Sequence, residues 1–433
     1  MSDQSWPATN LGELFTINTD GVAPNTSPST EFYHHSLPAW DELRGPAVEK
    51  GSSIESNKTK MTKPCVLVSK LNPRKPRVSV VERVPNKEHH CASTEFVCLE
   101  PKSEEPLNFW GHLFSNKRFS ENLDRIAIGS TNSHKRYSPK ALLSQRIELP
   151  PVPERRLIAH ILDTLDTQIR KTEALIAKLE KVKEGLLHDL LTRGIYENGQ
   201  LRPGPEQAPE LYKESPLGLI PREWEISSAG VEFEITSGVT LGAHRRPKKH
   251  PTPYLRVANV HRDRLMLNEI TMLEMTPVEL EEKSLIVDDL LIVEGHANPN
   301  EIGRCAKVTE EAVGLTFQNH LFRLRASGIL AGFASLWMNS NLVRGYWRAT
   351  CSTSSGLYTI NRTQLGSVPV AKPSKFEQDF IISEDEKLQL RLKNETGQLA
   401  KMWLQKRGLM DDLLTGRVRV TPLLDQAQAT TPA

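Results

Sequence analysis

Between Lys58 and Lys87 the chain carries nine Lys or Arg (Lys58, Lys60, Lys63, Lys70, Arg74, Lys75, Arg77, Arg83 and Lys87) against one acid, Glu82. Between His244 and Arg264 it carries seven (Arg245, Arg246, Lys248, Lys249, Arg256, Arg262 and Arg264) against Asp263. Cations at this density suit contacts with phosphate, which position a protein on nucleic acid without reading its bases. The candidates for that role are Lys58, Lys60, Lys63, Arg74, Lys75 and Arg77 in the first stretch, and Arg245, Arg246, Lys248, Lys249 and Arg256 in the second. Base readout needs a few side chains that reach major-groove edges. Asn259, Asn298, Gln318, Asn319 and His320 fall on predicted loops or strand starts and could serve. A solvated face explains each cluster, and a solvated loop each single residue, equally well.

Other chemistries are poorly represented. His89, His90, Cys91 and Cys98 fit no standard zinc spacing, so no metal site is expected. The five cysteines (Cys65, Cys91, Cys98, Cys305 and Cys351) are odd in number and form no CxxC pair, which favours reduced thiols over a disulfide framework. The sequence has no GxxxxGK[ST] loop, GxGxxG, GxSxG or HExxH. ANPN at Ala297 lacks the second proline and the aromatic that a base-flipping methylase would stack on its target. No catalytic residue is assigned. Charged residues make up 25% and hydrophobic ones 38%, ordinary values for a soluble globular protein. No apolar run is long enough to span a bilayer, and the N-terminus lacks the character of a secretory signal. The expected location is the cytoplasm, with no membrane partner.

What could position such residues is a duplication. Shifting the chain by 223 positions lays Gly185, Leu186, Asp189, Leu190, Leu191 and Thr192 on identical residues at 408, 409, 412, 413, 414 and 415. The same shift puts Pro150 on Pro373, Glu154 on Glu377 and Ile158 on Ile381. One register holds without a gap over about 80 positions. The duplicated segment is helical. Alternating steps of four and three give Ile158, Leu162, Leu165, Ile169, Thr172, Ile176, Leu179, Lys183, Leu186 and Leu190 in the first copy. The second copy gives Ile381, Asp385, Leu388, Leu392, Glu395, Leu399, Met402, Lys406, Leu409 and Leu413. That period is a coiled-coil seam. Pro150, Pro151 and Pro153 precede the first helix; Pro373 and a capping box, Ser374 to Glu377, open the second. Each predicted helix runs roughly 60 Å at about 1.5 Å per residue. A narrow apolar stripe must be buried, and antiparallel pairing of the two copies gives each half equivalent contacts about a pseudo-twofold axis.

Upstream of each helix lies a unit of mixed α/β character. In the second, TPYLRVANV, KSLIVDDLLIVEG, GRCAKVT and NHLFRLRA predict strands, and GILAGFASLWMNSNLVRGYW an amphipathic helix. In the first, KPCVLVSKL, PRVSVVERV, STEFVCLEP and LNFWGHLFSNKRFSENL echo that order. NGQLRPGPEQAPELYKESPLG is a Pro/Gly-rich connector that stops the first helix and leaves the second domain free to be placed.

Residues Leu149 to Ile195, LPPVPERRLIAHILDTLDTQIRKTEALIAKLEKVKEGLLHDLLTRGI, resemble the central conserved helical region of the specificity (S) subunits of type I restriction–modification systems. LGLIPREWE, Leu217 to Glu225, is similar to the lead-in of that family's second target recognition domain, and DDLLTGRVRV to its distal helix end. The first domain departs from the pattern, having Trp6-Pro7 in place of Gly-x-Ile-Pro-x-x-Trp, and the second helix opens on KPSKFEQ rather than Pro-Pro-x-x-Glu-Gln. The resemblance implies an α+β fold: two α/β target recognition domains separated by a long antiparallel two-helix coiled coil, as a pseudo-twofold tandem repeat. The implied domains are recognition domain one at 1–150, central helix 151–195, linker 196–216, recognition domain two at 217–373, distal helix 374–416 and a flexible tail at 417–433. The resemblance also implies a non-catalytic chain that reads a bipartite, asymmetric sequence in double-stranded DNA and recruits two methyltransferase and two restriction subunits. S-adenosylmethionine, ATP and Mg²⁺ would belong to those partners, with no cofactor in this chain.

Two other readings fit the composition. One is a coiled-coil scaffold whose α/β domains bind protein, which a salt titration of duplex binding separates from a phosphate binder. The other is an unrecognised nuclease, which incubation of the purified chain with plasmid and Mg²⁺ separates.

Overall fold

The computed structural model describes residues 6–85, 89–354 and 356–429; Lys87 of the first basic stretch lies outside them. The chain folds as two units. One comprises Met1–Ala174 with Thr396–Ala433, and the other Leu175–Glu395.

The core of the first unit is an antiparallel sheet of β1 (Phe15–Asn18), β2 (Cys65–Ser69), β3 (Val78–Val81) and β4 (Phe96–Pro101), in the order β1-β4-β2-β3. Every residue of β2 is buried because the sheet is covered on both faces. Successive side chains point to opposite faces. Val66 and Val68 therefore join Phe15, Trp110 and Phe114, whereas Cys65 and Leu67 join Met61, Phe96 and Cys98. Cys91 lies in a third cluster, with Phe32 and Ile54. The second face meets a five-stranded sheet, ordered Gly21–Val22, Lys58–Lys60, His90–Ala92, Glu31–His35 and Ala47–Lys50. Two helices follow β4: α1 (Leu107–Ser115) and α2 (Lys117–Ile126). They are split at Asn116, whose side chain accepts from the Arg118 N–H at 2.8 Å.

The second unit repeats this core. Its strands β5 (Phe233–Ser237), β6 (Leu290–Val293), β7 (Cys305–Lys307) and β8 (Leu321–Ala326) are antiparallel in the order β5-β8-β6-β7. Helices α3 (Ala331–Asn339) and α4 (Asn341–Thr350) follow β8. The single amphipathic helix expected here is thus two. Ser340 breaks it, its hydroxyl accepting from the Val343 N–H at 3.3 Å. The outer layers of the units differ. Here Pro251–Leu255 pairs antiparallel with Thr271–Glu274 and parallel with Thr316–Phe317.

The long helices are Val152–Thr192 and Lys375–Leu413, of 41 and 39 residues. Each unit takes half of each. In the first unit Ile158, Ala159 and Leu162 share a core with Leu413 and Leu414, and Lys406 pairs with Asp166. In the second, Leu190 and Leu191 share a core with Ile381, and Lys183 pairs with Asp385 at 3.2 Å. In both units the residue numbers run in opposite senses along the two helices, which makes the pairing antiparallel.

Two segments are more ordered than the sequence suggested. The connector carries a buried Tyr212 and Arg202, and Tyr212–Ser215 forms a hairpin with Gly218–Pro221. The Tyr212 hydroxyl donates to the Pro203 carbonyl at 2.6 Å. The stretch after Gly416 buries Val420 and forms a helix, Thr421–Ala429. Prolines limit conformational freedom without preventing packing, so composition misleads wherever a few apolar residues find a groove.

His35, at the end of Glu31–His35, is 5% exposed, and its Nε2 has no hydrogen-bond partner among the described residues. Burial, with His90 and His34 nearby, pushes its imidazole down from 6.5 to about 4. The unfolded chain takes up this proton below pH 6.5 and the folded chain does not, so stability is lost as pH falls through that window. Urea denaturation at pH 7 and pH 5 is expected to differ by about 2 kcal/mol from this group. His35→Leu should remove most of that difference; an unchanged difference would place the pH sensitivity elsewhere.

Candidate nucleic-acid interface

The clearest basic surface is the loop between β5 and the outer strand Pro251–Leu255. Two carboxylates hold it from beneath. Glu279 opens the helix Pro277–Lys283 through a capping box with Thr276 and also binds Arg245, whose Nη1 and Nη2 donate at 3.0 and 2.6 Å. Those Arg245 hydrogen bonds, followed by the Thr276 N–H, hold the Glu279 carboxyl down at about 2. Glu274 accepts from three successive backbone N–H groups: Lys248 at 2.6 Å, Lys249 at 3.1 Å and His250 at 2.8 Å. With the backbone fixed in this way, the side chains of Arg246, Lys248 and Lys249 are exposed. Among the described residues none of the three has a hydrogen-bond or ion-pair partner. Three free cations on a preorganised loop can take phosphates at little ordering cost.

The remaining candidates divide by environment. Arg245 serves the loop itself. Arg256 is half-buried, with its Nε unpartnered among the described residues. Arg262 is tied to Asn339 at 3.1 Å and to the Asn300 carbonyl at 3.0 Å. In the first unit Arg74 is exposed and Lys60 half-buried. Lys63 reaches Glu100 at 3.6 Å; Lys75 pairs with Asp41 at 3.2 Å, and Arg77 grips the same Asp41 at 3.0 and 2.9 Å. Lys58 differs from the other cations of this stretch. It is 8% exposed and donates to the Ser56 carbonyl at 2.9 Å, because its strand turns it inward, so it offers nothing to a phosphate.

Asn259 also faces inward. It is buried, its Oδ1 accepting from the Arg256 N–H at 2.9 Å and its Nδ2 donating to the carbonyls of Met266 and Glu269 at 2.8 and 3.0 Å. An amide with those bonds filled shapes its loop. Gln318 is buried and Asn319 half-buried, with its N–H on the Val239 carbonyl at 3.0 Å. Asn298 is exposed, its Oδ1 accepting from the Asn300 N–H at 3.0 Å. His320 is exposed and pairs through Nδ1 with Glu294 at 2.7 Å.

Along the helices, Ile158, Leu162, Ile169, Leu179, Leu190, Ile381 and Leu413 are buried. Leu165, Ile176, Leu186, Leu388, Leu392, Leu399, Met402 and Leu409 are half-buried. Between Glu386 and Gly408 the residues that are not exposed are Leu388, Leu392, Glu395, Leu399, Met402 and Lys406, the apolar stripe and its polar members.

Two buried charge knots escaped the sequence reading. In the second unit Glu377, 5% exposed, accepts from Arg202 at 2.6 Å, from Trp224 Nε1 at 3.1 Å and from the Ile195 N–H at 3.1 Å. Gly194 makes the close approach possible at φ +62°; a Cβ there would meet Trp224 at 2.6 Å and Glu377 at 2.7 Å. In the first unit Glu154 binds Arg419, whose guanidinium lies 5.4 Å from the centre of the Trp6 ring. Glu154 and Glu377 are equivalent under the 223-residue shift. The available signal was that both glutamates survive the divergence; Glu377 was read as a cap, and its N–H does bond Ser374 Oγ at 3.2 Å.

Among the described residues no group of three or more His, Cys, Asp or Glu is placed to hold a metal ion, and no helix is long and apolar enough to cross a membrane.

The family model for the type I restriction modification DNA specificity domain matches residues 5–181. Residues 5–181 are thus similar to that domain, and they are less than half of the chain. The match lies mostly in the first unit, where the sequence departs from the family's lead-in, and that unit carries the same core sheet order as the second. The chain is 22% identical over 292 residues to the StySPI specificity subunit of Salmonella potsdam, covering 67% of this chain and 60% of that one. It is 34% identical over 95 residues to the putative MjaX specificity subunit of Methanocaldococcus jannaschii, covering 22% and 20%. The chain thus spans about three-fifths of the first of these relatives and a fifth of the second. Its fold is similar to the HsdS subunit from Thermoanaerobacter tengcongensis, with a TM-score of 0.50 at 17% identity over 96% of this chain and 97% of that one. It is also similar to the S subunit from M. genitalium, with a TM-score of 0.53 at 12% identity over 95% and 97%.

Proposed function

We propose that this chain is a type I restriction–modification specificity subunit, the non-catalytic address of such a complex in the cytoplasm. Each unit reads one half of a bipartite, asymmetric sequence in double-stranded DNA. Two methyltransferase subunits and two restriction subunits assemble on it and bring S-adenosylmethionine, ATP and Mg²⁺. The chain's own work is binding: loop cations neutralise phosphates, and side chains beside them discriminate bases. Different outer layers on a shared core let the two units prefer different half-sites.

The observation that carries this reading is the loop whose Arg246, Lys248 and Lys249 project from a backbone pinned by Glu274 and Glu279. It is tested by titrating duplex binding against salt, in the complex with methyltransferase. Arg246→Ala/Lys248→Ala/Lys249→Ala is expected to weaken binding to every sequence alike and to reduce the log–log salt slope by about three, roughly one per lost phosphate contact. A slope unchanged within about half a contact would remove the loop from the interface. Absence of any salt-dependent binding by the parent complex would favour the protein-binding scaffold.

A further inference from the structure

The root of the basic loop meets a second feature at one end of the sheet formed by β5, β8 and β6. The Gly238 N–H donates to the Leu321 carbonyl at 3.2 Å, and the Asn319 N–H to Val239 at 3.0 Å. The Glu294 N–H donates to His320 at 3.0 Å, and the Ile360 N–H to Glu294 at 2.9 Å. These bonds stitch the end of β5, the residue after β6 and the residue before β8 into one edge. A cleft of about 350 Å³ lies there, with Val257, Leu357, Thr359 and Ile360 in its wall and Glu294 and His320 lining it. The pair is joined by the 2.7 Å bond from Nδ1 to Oε2, with the His320 side chain 61% exposed and that of Glu294 29% exposed. Among the described residues, neither Oε1 of Glu294 nor Nε2 of His320 has a hydrogen-bond partner.

We propose that Glu294 and His320 read one base pair of the half-site engaged by the second unit, by accepting the exocyclic amino group of an adenine or a cytosine. This rests on the DNA-reading function above and adds the residues and the base class. In the major groove only adenine N6 and cytosine N4 present donors; guanine and thymine present the acceptors O6 and O4 at the corresponding place. An ionised carboxylate can only accept, so it rewards an amino group and repels a keto oxygen. His320 fixes one carboxylate oxygen and leaves the other presented outward. The phosphate-binding loop that springs from the same sheet edge brings the backbone of the same duplex near.

The test is a map of methylated adenines across the genome of cells expressing the full chain with its methyltransferase subunit. In Glu294→Gln the amide can donate as well as accept. One position of one half-site, adenine or cytosine with the parent chain, is expected to broaden to admit guanine or thymine. A good contact of this kind discriminates about ten- to hundred-fold, so the change is large in motif counts. His320→Ala, which removes the donor that anchors the carboxylate, should broaden the same position. Every other position should hold in both variants. A motif unchanged at every position in both variants overturns the assignment, as does broadening at a position that began as guanine or thymine. If the parent chain directs no defined motif, the DNA-reading function itself fails, and the assignment with it.

Discussion

Glu377→Ala is expected to lower the stability of the second unit by about 3–5 kcal/mol, the cost of breaking a buried ion pair from one side. The carboxylate is 5% exposed and gathers Arg202, the Trp224 indole N–H and the Ile195 N–H. Removing it leaves a guanidinium that is 4% exposed with the largely exposed Glu223 at 2.8 Å and the Arg193 carbonyl at 3.3 Å. The indole and backbone N–H groups lose their acceptor as well. Urea denaturation of the full chain reads this out. Glu377→Gln keeps an acceptor and should cost less. Glu154→Ala should cost less too, because Arg419 sits where its side chain is 34% exposed and water can replace the lost carboxylate. If Glu377→Ala costs under about 1 kcal/mol, the knot is no more than a surface pair in effect.

The second large effect is expected at Leu179. This side chain is 6% exposed on the first long helix, and Leu179→Asp forces a carboxylate without a partner into the stripe. The cost is several kcal/mol after relaxation. The control is Val182→Asp on the same helix, where the side chain is 46% exposed; away from packed features such a change stays within about 0.5 kcal/mol. Helix content by circular dichroism and association with methyltransferase should both fall for Leu179→Asp and hold for Val182→Asp. Equal behaviour of the two variants would mean that the stripe is assigned to the wrong face.

The polar members of the stripe have a physical role as well. Lys183 meets Asp385 and Lys406 meets Asp166, each joining one long helix to the other within a unit. A charge on an otherwise apolar seam is tolerated in the register that supplies its partner and penalised elsewhere, which favours one alignment at some expense of stability.

Strands β1 and β5 and the order of strands in the sheets were not legible in the amino-acid sequence. The repeat, the period of the long helices and three of the four core strands in each unit (β2, β3 and β4; β6, β7 and β8) were. Each is a local or periodic signal: side chains every 3.5 residues along a helix, apolar runs bounded by Gly and Pro, and a 223-residue shift. The break of one expected helix at Ser340 was also local, and was masked by the apolar pattern on either side. The basic stretches too were visible as composition. Which of their cations face solvent was not. Lys58 and Lys63 lie five residues apart in one run, yet one is buried against Ser56 and the other is exposed. Glu274 and Glu279 hold the second basic loop from a strand and a helix that follow it by some 25 to 34 residues. The Glu377 knot joins residues 175 and 153 positions apart. Periodicity belongs to the chain and can be read along it. The sign and exposure of a site belong to whatever long-range packing brings alongside, and only the folded arrangement fixes that.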